Sequence, residues 1–493
     1  MKILVMQLAR LGDIYQTWPT LNALRRSNPS DEIHLLVRKR FSSATVGLTG
    51  VDKVIIFNNK TILSPFMLDG KTSDSLSQME EFLSDLNTES YDKVINLSFS
   101  PVSSYITNLI SKNDMEIRGY SRFSDGYLSI EDETSAYFYA QVGVEKFNQI
   151  HLVELFASVA GVELQDCDFK IKDGYSYNKN YEKLIQSSKD QGRKSIVVHI
   201  GASQKIKTFS AFKWKRVVHK LIKNSNYVVY LIGSEDEISI KNQIVSGFEA
   251  ENLVDWVGKT EMGDLYKILL ESDLIIGADS MVVQLASLLN KMTLNISFKS
   301  VRFWETGPLA VGSRIILGEN EDTISSDQVI REANSMLSGG KSGNDVVNVI
   351  SSGLKKYKHF VYEEPNFEWA LIEALYLSKD LPQKLTSTTI HGIEKLIQLV
   401  LLAEEQYESM RANLKNEFSL KILEEVDGLM LAVRNYVPEL SPLVDWFFTK
   451  KIMIPPSSVD EVFNSTVDIY KEFKLVLLSL LTHQEAEMEY ATR

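Results

Sequence analysis

The opening nineteen residues constrain the fold of this chain more than any other stretch. Residues 2–8 form a short, almost entirely apolar run, which is typical of a parallel strand buried on both faces. Residues 9–12 break the run, and from Ile14 apolar residues return at helical spacing. We expect this helix to start late or to bend at Pro19, because proline cannot donate a backbone hydrogen bond. The order strand, loop, helix predicts an open α/β sheet with a ligand site at the carboxyl ends of its strands.

Asp13 lies at the mouth between this strand and its helix, and two roles are open to it. A carboxylate in this position can act as a general base and take a proton from an attacking hydroxyl. Aspartate is also a favoured capping residue at the start of a helix. Position alone does not separate the two roles.

Bulk properties restrict the class of protein. At 493 residues the chain should hold two or three domains, because single cores rarely grow past about 250–300 residues. Its net charge of −12 argues against nucleic acid as a partner, which requires a basic face. A local basic group could still face an anionic acceptor or membrane head groups, or simply be solvated: Arg25, Arg26, Arg38, Lys39 and Arg40.

Targeting signals and cysteine usage favour a cytoplasmic protein. Cys167 is the only cysteine, which excludes an intramolecular disulfide and suits a reducing compartment. The first strand begins without a signal-peptide pattern, and no apolar run approaches about 18 residues. The expected location is the cytoplasm, with peripheral contact at the inner face of the membrane left open.

Strand and helix patterns alternate twice along the chain, which predicts two doubly wound domains, residues 1–165 and 166–337. The predicted strands are residues 32–37, 54–57, 93–97, 115–120, 195–200, 227–232, 274–277 and 293–296, and residues 58–75 have the composition of a loop or insertion. Two such domains facing each other leave a cleft at their strand ends, a favoured ligand site.

The composition changes after a linker rich in serine and glycine at residues 338–343. Helical periodicity then predominates, and the prolines at 438, 442, 455 and 456 mark breaks. We predict an all-α region over residues 345–493, with helices at residues 367–377, 390–414, 420–436 and 459–481.

The second domain offers a candidate diphosphate site. The loop after the strand at 195–200 runs from Gly201 to Lys207 and combines small residues, hydroxyl Ser203 and two lysines before a helix. Exposed backbone amides and ammonium groups of this kind suit a phosphate. Asp279 and Ser280 follow a neighbouring strand and are either helix caps or a second contact to the same ligand. Each segment taken alone is also compatible with an ordinary turn.

No metal site is predicted. Asp166 and Asp168 match the Asp-x-Asp pattern of metal-dependent glycosyltransferases, but they lie in a polar crossover between the domains. The seven histidines lack the paired spacing of zinc ligands. His199 lies in an apolar strand, where a core or strand-end histidine is the simpler interpretation.

Three motifs in order over residues 1–335 resemble glycosyltransferase family 9, the lipopolysaccharide heptosyltransferases and their relatives. The first is Leu11-Gly12-Asp13 with Thr17 and Pro19. The second is His199-Ile200-Gly201-Ala202-Ser203 with Lys207, and the third is Val257-Gly258-Lys259-Thr260 with Leu265, followed by Gly277-Ala278-Asp279-Ser280.

The resemblance implies a GT-B fold and a metal-independent, inverting transfer from a nucleotide sugar, typically ADP-heptose, to a hydroxyl of a lipopolysaccharide-type acceptor, with no further cofactor. It assigns the general base to Asp13 and acceptor binding to Gly12 and Arg118. It assigns donor binding to Gly201, Ser203, Lys207, Glu235, Glu237, Asp279 and Ser280.

The chain departs from the family pattern at the donor site, where Met281 stands for a glycine and Gln284 for a histidine. Glycine permits close backbone approach to a phosphate, and glutamine cannot carry a positive charge. Two alternatives therefore stay open. The acceptor could be a surface or flagellar protein recruited by residues 345–493, or the chain could be a non-catalytic scaffold that keeps the GT-B fold.

Overall fold

The computed structural model describes residues 1–112, 114–143, 146–172, 175–202, 204–207, 209–247, 250–343, 346–349, 366–411 and 413–491. In the first part of the chain the elements are β1 (Lys2–Gln7), α1 (Leu11–Ser27), β2 (Glu32–Arg38), β3 (Lys53–Phe57), α2 (Asn59–Asp69), α3 (Thr72–Thr88), β4 (Lys93–Asn96), α4 (Pro101–Ile110), β5 (Glu116–Arg122), β6 (Leu128–Ile130), α5 (Glu133–Gln141) and α6 (Leu152–Ala160).

The elements of the middle part are α7 (Lys179–Asp190), β7 (Lys194–His199), α8 (Ala211–Ile222), β8 (Tyr227–Ile232), α9 (Ile238–Val245), β9 (Leu253–Asp255), α10 (Met262–Glu271), β10 (Leu274–Ala278), α11 (Met281–Leu288), β11 (Thr293–Phe298), α12 (Phe303–Thr306), β12 (Arg314–Gly318), α13 (Ser326–Leu337) and β13 (Val346–Asn348). The last part holds α14 (Phe367–Leu377), α15 (Ser387–Met410), α16 (Glu417–Tyr436), α17 (Ser441–Ile452) and α18 (Val459–Ala491).

The chain forms two compact units, and neither is continuous in sequence. The first contains Met1–Ser98, Leu109–Glu116 and Ile150–Val361. The second contains Phe99–Asn108, Ile117–Gln149 and Tyr362–Arg493. The division of the sequence at residues 165 and 337 stays a prediction.

Four parallel strands of the first unit lie in the order β3, β2, β1, β4. The apolar run predicted from the sequence is β1, and five of its six residues are buried. Because β1 and β4 are parallel neighbours, the loops that follow them meet at one edge. There the Leu8 amide donates to Ser98 Oγ at 2.7 Å.

The second sheet of the first unit has the order β13-β12-β11-β10-β7-β8-β9. Its neighbours are parallel except β13, which runs antiparallel to β12. Strand β7 lies between β10 and β8, so the loops after these three strands share one edge. The core on this sheet is aliphatic and aromatic, with Trp214 and Phe209 among its buried members. Two doubly wound sheets confirm the predicted α/β class.

Helix α1 is buried along residues 14–24 instead of along one stripe. It packs against α6 and α11. Tyr15 Oη lies 2.9 Å from Tyr266 Oη, and Gln16 Nε2 donates to the Glu305 carbonyl at 3.2 Å. The expectation that the helix starts late is wrong, since it begins at Leu11 and Pro19 lies inside it.

The loop predicted at residues 58–75 is also wrong, because α2 and the start of α3 occupy it. Asn58 caps α2 through its side chain, and Gly70 ends it in the left-handed conformation that glycine adopts readily. Pro65 and the exposed apolar residues Phe66, Met67 and Leu68 concealed the helical pattern.

The second unit joins a helical bundle to a segment from the first third of the chain. Its bundle core draws on α14 to α18 and includes the stacked rings of Phe447 and Phe473, whose centroids are 4.5 Å apart. Helix α17 also packs against α5. There Gln141 Nε2 donates to the Pro442 carbonyl at 3.0 Å, and Lys146 pairs with Asp445.

The C-terminal helical region is present, with two differences from the expected pattern. Residues 346–348 form β13 instead of starting the helical region, and among the described residues that region begins at Phe367. Helix α17 was not predicted, because Pro442 was interpreted as a break. Proline is tolerated in the first turn of a helix, where Pro442 lies. Throughout the described residues, each helix is too short or too polar to cross a membrane.

Candidate donor and catalytic site

Asp13 lies in the first turn of α1, at the edge where the loops after β1 and β4 meet. The N-cap of this helix is Arg10, so the expectation that Asp13 itself is the N-cap is wrong. Asp13 is the third residue of α1, and its Oδ2 accepts a hydrogen bond from the Arg10 amide at 2.8 Å, as the acidic residue of a capping box does. One oxygen of the carboxylate is thus bound to the start of α1. Capping and proton transfer are compatible, because a carboxylate offers about four acceptor positions.

The surroundings of Asp13 tune its basicity. Burial raises the pKa of Asp13 above the ordinary aspartate value of 3.8, the bond from Arg10 opposes this shift, and the negative charge of Asp279 adds to it. Asp279 follows β10 of the second sheet. The electrostatic interaction of the two carboxylates therefore connects the first turn of α1 with the residues after β10.

Asp279 follows β10 and is almost completely buried. Its Oδ2 accepts from Lys207 Nζ at 2.9 Å, and its Oδ1 accepts from Thr306 Oγ1 at 2.9 Å. Lys207 lies in the loop after β7, with 18% of its side chain exposed. The predicted neighbours Lys207 and Asp279 are thus brought together, because β7 and β10 are adjacent parallel strands.

Gly201 and Glu237 form a second part of the same edge. A Cβ built on Gly201 would collide with the Glu237 carboxylate, so a larger residue here would require the Glu237 side chain to move. Glu237 also accepts from Ser234 Oγ at 2.9 Å. Glu235, the alternative acidic residue of this turn, is exposed. Of the two, Glu237 therefore borders the loop at Gly201.

Ser280, which follows β10, pairs with His199, the last residue of the neighbouring strand β7. Ser280 Oγ lies 3.2 Å from His199 Nδ1. Burial lowers the pKa of His199, although the charge of Glu237 opposes the shift. This agrees with the strand-end interpretation of the histidine and gives Ser280 a fixed hydrogen-bond partner.

Gly12 places the start of α1 against the start of α11. A Cβ on Gly12 would lie 3.8 Å from Gln284 Cγ and 3.9 Å from Met281 Cα, an ordinary contact distance. Gln284 is buried and donates to the Thr306 carbonyl. Met281 is the first residue of α11 and is partly exposed. Both departures from the family pattern therefore lie beside the first turn of α1, which carries Asp13.

Arg38 is a charged neighbour of Asp13 that the sequence suggested only as part of a basic group. It ends β2, and its Nη2 donates to the Ala9 carbonyl at 3.1 Å. Burial and the charge of Arg40 lower the pKa of Arg38, and the charge of Asp13 opposes the shift. The basic group thus has at least one member at the site.

Two predicted residues are not placed with this cluster. Ser203 lies outside the described residues. Arg118 is on β5 in the second compact unit, together with the helical region. Its assignment to the acceptor stays a prediction.

Three of the carboxylates that could suggest a metal site form ion pairs with cationic side chains: Asp168, Glu32 and Glu89. The buried Asp168 of the Asp-x-Asp pattern pairs with Arg26 Nη2 at 2.9 Å. A separate group, Glu32, His34 and Glu89, is compact enough to share an ion. There Lys2 already pairs with both carboxylates. These acids are neutralised by protein cations.

Comparison with known proteins decides the family. The family model described as Glycosyltransferase family 9 (heptosyltransferase) matches residues 79–334, just over half of the chain. The chain belongs to glycosyltransferase family 9. It is therefore a glycosyltransferase, and the matched range includes Lys207, Asp279 and Thr306. Asp13 precedes the matched range, and the described helices α14 to α18 follow it.

Individual family 9 relatives agree with this assignment. Lipopolysaccharide heptosyltransferase 1 of Campylobacter coli is 24% identical over 311 residues, which cover 60% of this chain and 83% of that protein. The solved structure of E. coli ADP-heptose lipopolysaccharide heptosyltransferase II is 16% identical and covers 69% of this chain and 99% of its own, with a TM-score of 0.50.

Two further solved structures are similar in fold. The family 9 glycosyltransferase of Veillonella parvula DSM 2008 is 17% identical, with a TM-score of 0.53 over 69% of this chain and 97% of its own. E. coli heptosyltransferase WaaC, solved with ADP, is 13% identical, with a TM-score of 0.50 over 68% of this chain and all of its own. These similarities confirm the GT-B fold of this family 9 glycosyltransferase.

Proposed function

We propose that this family 9 enzyme transfers heptose from ADP-heptose to a hydroxyl of a lipopolysaccharide-type acceptor. The observation that carries the proposal is the relation of three residues. Asp13 follows a strand of the first sheet and Lys207 follows a strand of the second. Asp279 pairs with Lys207 and raises the pKa of Asp13 electrostatically. A base on one side and a diphosphate-binding cation on the other are what sugar transfer requires. The relatives named for ADP-heptose or solved with ADP support this choice of donor.

In the proposed reaction Asp13 removes the proton of the acceptor hydroxyl. The acceptor oxygen then attacks the anomeric carbon from the face opposite the diphosphate, and the bond between that carbon and the diphosphate oxygen breaks. ADP leaves with the bonding electrons, and the proton stays on Asp13. Lys207 stabilises the charge that develops on the leaving diphosphate, which is the role a metal ion would otherwise fill. The anomeric configuration is inverted, and no metal or other cofactor takes part.

Donor contacts come from the second sheet. Lys207 supplies charge, and the loop beginning at Gly201 supplies backbone amides that suit a phosphate. We assign to Glu237, which lies beside Gly201, the hydrogen bond to the donor ribose, and to Ser280 a second hydroxyl contact supported by its partner His199.

Acceptor recognition is assigned to Gly12 and Arg38 beside Asp13, and the assignment of Arg118 stays a separate prediction. Arg38 supplies a cation at the end of β2 for an anionic acceptor. Arg118 shares its compact unit with the helical region, which supports a contribution of that region to acceptor choice. Such a contribution suits either a lipid-linked saccharide, reached by peripheral contact with the membrane, or a protein.

Calorimetric titration of the full chain with a panel of nucleotide sugars tests the donor. We expect saturable binding of ADP-heptose and weaker binding of donors with other bases. Tighter binding of another nucleotide sugar would identify that sugar as the donor in place of ADP-heptose. Flat heats across the panel, together with no thermal stabilisation by any member, would leave the non-catalytic scaffold.

The acid limb of the rate profile tests the base. Asp13 must be deprotonated to accept a proton, so the rate should fall as the pH is lowered. Because the pKa of Asp13 is raised, the midpoint of this fall should lie above pH 3.8. Replacing Asp279 with asparagine removes a negative charge and leaves Lys207 uncompensated. Both changes lower the pKa of Asp13, so the acid limb should move to lower pH.

The matched control is Asp327→Asn, which neutralises an exposed aspartate paired with Lys220. It should leave the midpoint of the acid limb unchanged. An unchanged midpoint in Asp279→Asn as well would show that Asp13 does not govern the acid limb. The measurement is kcat against pH at saturating donor, which separates the shift from any loss of rate.

A further inference from the structure

Thr306 connects Asp279 and Lys207 of the donor site to the side chain of Gln284 in α11. Its hydroxyl donates to Asp279 Oδ1 at 2.9 Å, while Asp279 Oδ2 accepts from Lys207 Nζ at 2.9 Å. Its carbonyl accepts from Gln284 Nε2. Gln284 of α11, Thr306 of α12, Asp279 and Lys207 are thus connected by hydrogen bonds in a series that ends at the Lys207 ammonium.

The turn that carries Thr306 is held by buried polar side chains from three directions. Gln284 of α11 and Gln16 of α1 donate to carbonyls of α12, those of Thr306 and Glu305. His151, at the start of α6, lies with its Nε2 3.2 Å from the Gly307 carbonyl. Its Nδ1 accepts from the Val153 amide, so Nε2 carries the hydrogen and donates. These hydrogen bonds hold the four-residue helix α12 in place and thereby fix the position of the Thr306 hydroxyl.

We propose that Thr306 is a positioning residue of the donor site, which fixes the Asp279 carboxylate so that Lys207 points its ammonium at the donor diphosphate. Gln284 fixes Thr306 in this role. The proposal rests on the proposed donor and adds a residue that does not itself touch that donor.

The physical reason lies in how a carboxylate is oriented. The terminal torsion of aspartate is broad, so one hydrogen bond leaves its plane free to turn. Bonds to both oxygens, from Thr306 and Lys207, set that plane. The ammonium has three donors, of which Asp279 takes one, and the remaining two are then directed to one side. Without the hydroxyl, the carboxylate can turn and the long lysine side chain regains rotamers.

The experiment measures the affinity for ADP by calorimetry in the full-length chain. Thr306→Val keeps the shape of the side chain and removes the hydroxyl, and we expect it to weaken ADP binding on the order of tenfold, because a charged acceptor loses its bond. Thr306→Ser restores the hydroxyl and should bind ADP within about twofold of the wild type. Thr293→Val, which removes a hydroxyl bonded to the Lys291 carbonyl, is the matched control and should bind as the wild type does.

A double-mutant cycle separates positioning from general stability. In a Lys207→Met background the Thr306→Val change should have almost no further effect on ADP affinity, since the group it positions is gone. Equal effects in both backgrounds would overturn the proposal, as would wild-type affinity in Thr306→Val. If Thr306→Val does not fold, Gln284→Met, which removes the donor to the Thr306 carbonyl, should show the same dependence on Lys207.

The wild type distinguishes this proposal from the proposed function. If the wild type does not bind ADP, the ADP-sugar donor fails and the positioning role fails with it. If the wild type binds ADP and the Thr306 variants bind equally well, the donor stands and only the positioning role is lost.

Discussion

Asp13→Asn is expected to lower kcat about 10²- to 10⁴-fold, the range that a positioned general base contributes, while ADP affinity stays within about threefold. Asparagine keeps the size of the side chain and an oxygen that can accept from the Arg10 amide, so the start of α1 should be preserved. What it loses is the ability to take up a proton. The measurement is single-turnover transfer from ADP-heptose, with ADP titration on the same preparation.

Asp264 provides the matched control for this substitution. It occupies the same position in the first turn of α10, and its Oδ2 accepts from the Glu261 amide at 3.0 Å. Asp264→Asn therefore perturbs the same type of cap in α10, together with the bond that Asp264 Oδ1 accepts from the Asn178 amide, and should cost some stability without lowering turnover more than about twofold. If Asp13→Asn behaves as Asp264→Asn does, Asp13 is a helix cap and the proposed base is wrong.

Lys207→Met should weaken ADP binding on the order of 100-fold and lower kcat as well. Two effects act in the same direction. The diphosphate loses a charge-assisted hydrogen bond, worth about 1.5–3 kcal/mol. The Asp279 carboxylate also loses its cation and stays in the site, where it repels the anionic ligand.

The second effect can be measured separately. In the double variant Lys207→Met/Asp279→Asn the repelling carboxylate is gone, so ADP should bind more tightly than to Lys207→Met alone. Lys299→Met removes an exposed lysine that pairs with an exposed glutamate, and this control should bind as the wild type does. ADP affinity that is unaffected by Lys207→Met would place the diphosphate elsewhere.

Sequence patterns were most informative where structure is local. The apolar runs that become β1 and β7 are visible because both faces of these strands are buried. From the parallel order of the strands, the proximity of Lys207 and Asp279 could be anticipated. Their function in donor binding stays a prediction that the titrations above address.

No sequence pattern indicates that Thr306 belongs to the site. It ends a four-residue helix in a segment that matches none of the quoted motifs, and its partners Asp279 and Gln284 are 27 and 22 residues away. Arg38 was noticed only as one of five basic residues, because its distance from Asp13 depends on the pairing of β1 with β2. Contacts of this kind arise from packing and leave no periodic trace in the sequence.

Helix α17 illustrates a different failure. A proline in the first turn of a helix and a proline that ends one look alike in sequence, and Pro442 was interpreted as the second kind. Its contact with α5 was beyond any local pattern, because Gln141 and Pro442 are 301 residues apart.

That separation has a consequence for synthesis. A ribosome adds about 5–20 residues per second, so roughly 15–60 s pass between the emergence of α5 and that of α17. During this time the surface of α5 that α17 later covers is exposed to water and to other nascent chains. A message truncated before α17 would therefore yield a polypeptide with an uncovered segment near its beginning, a natural target for chaperones and proteases.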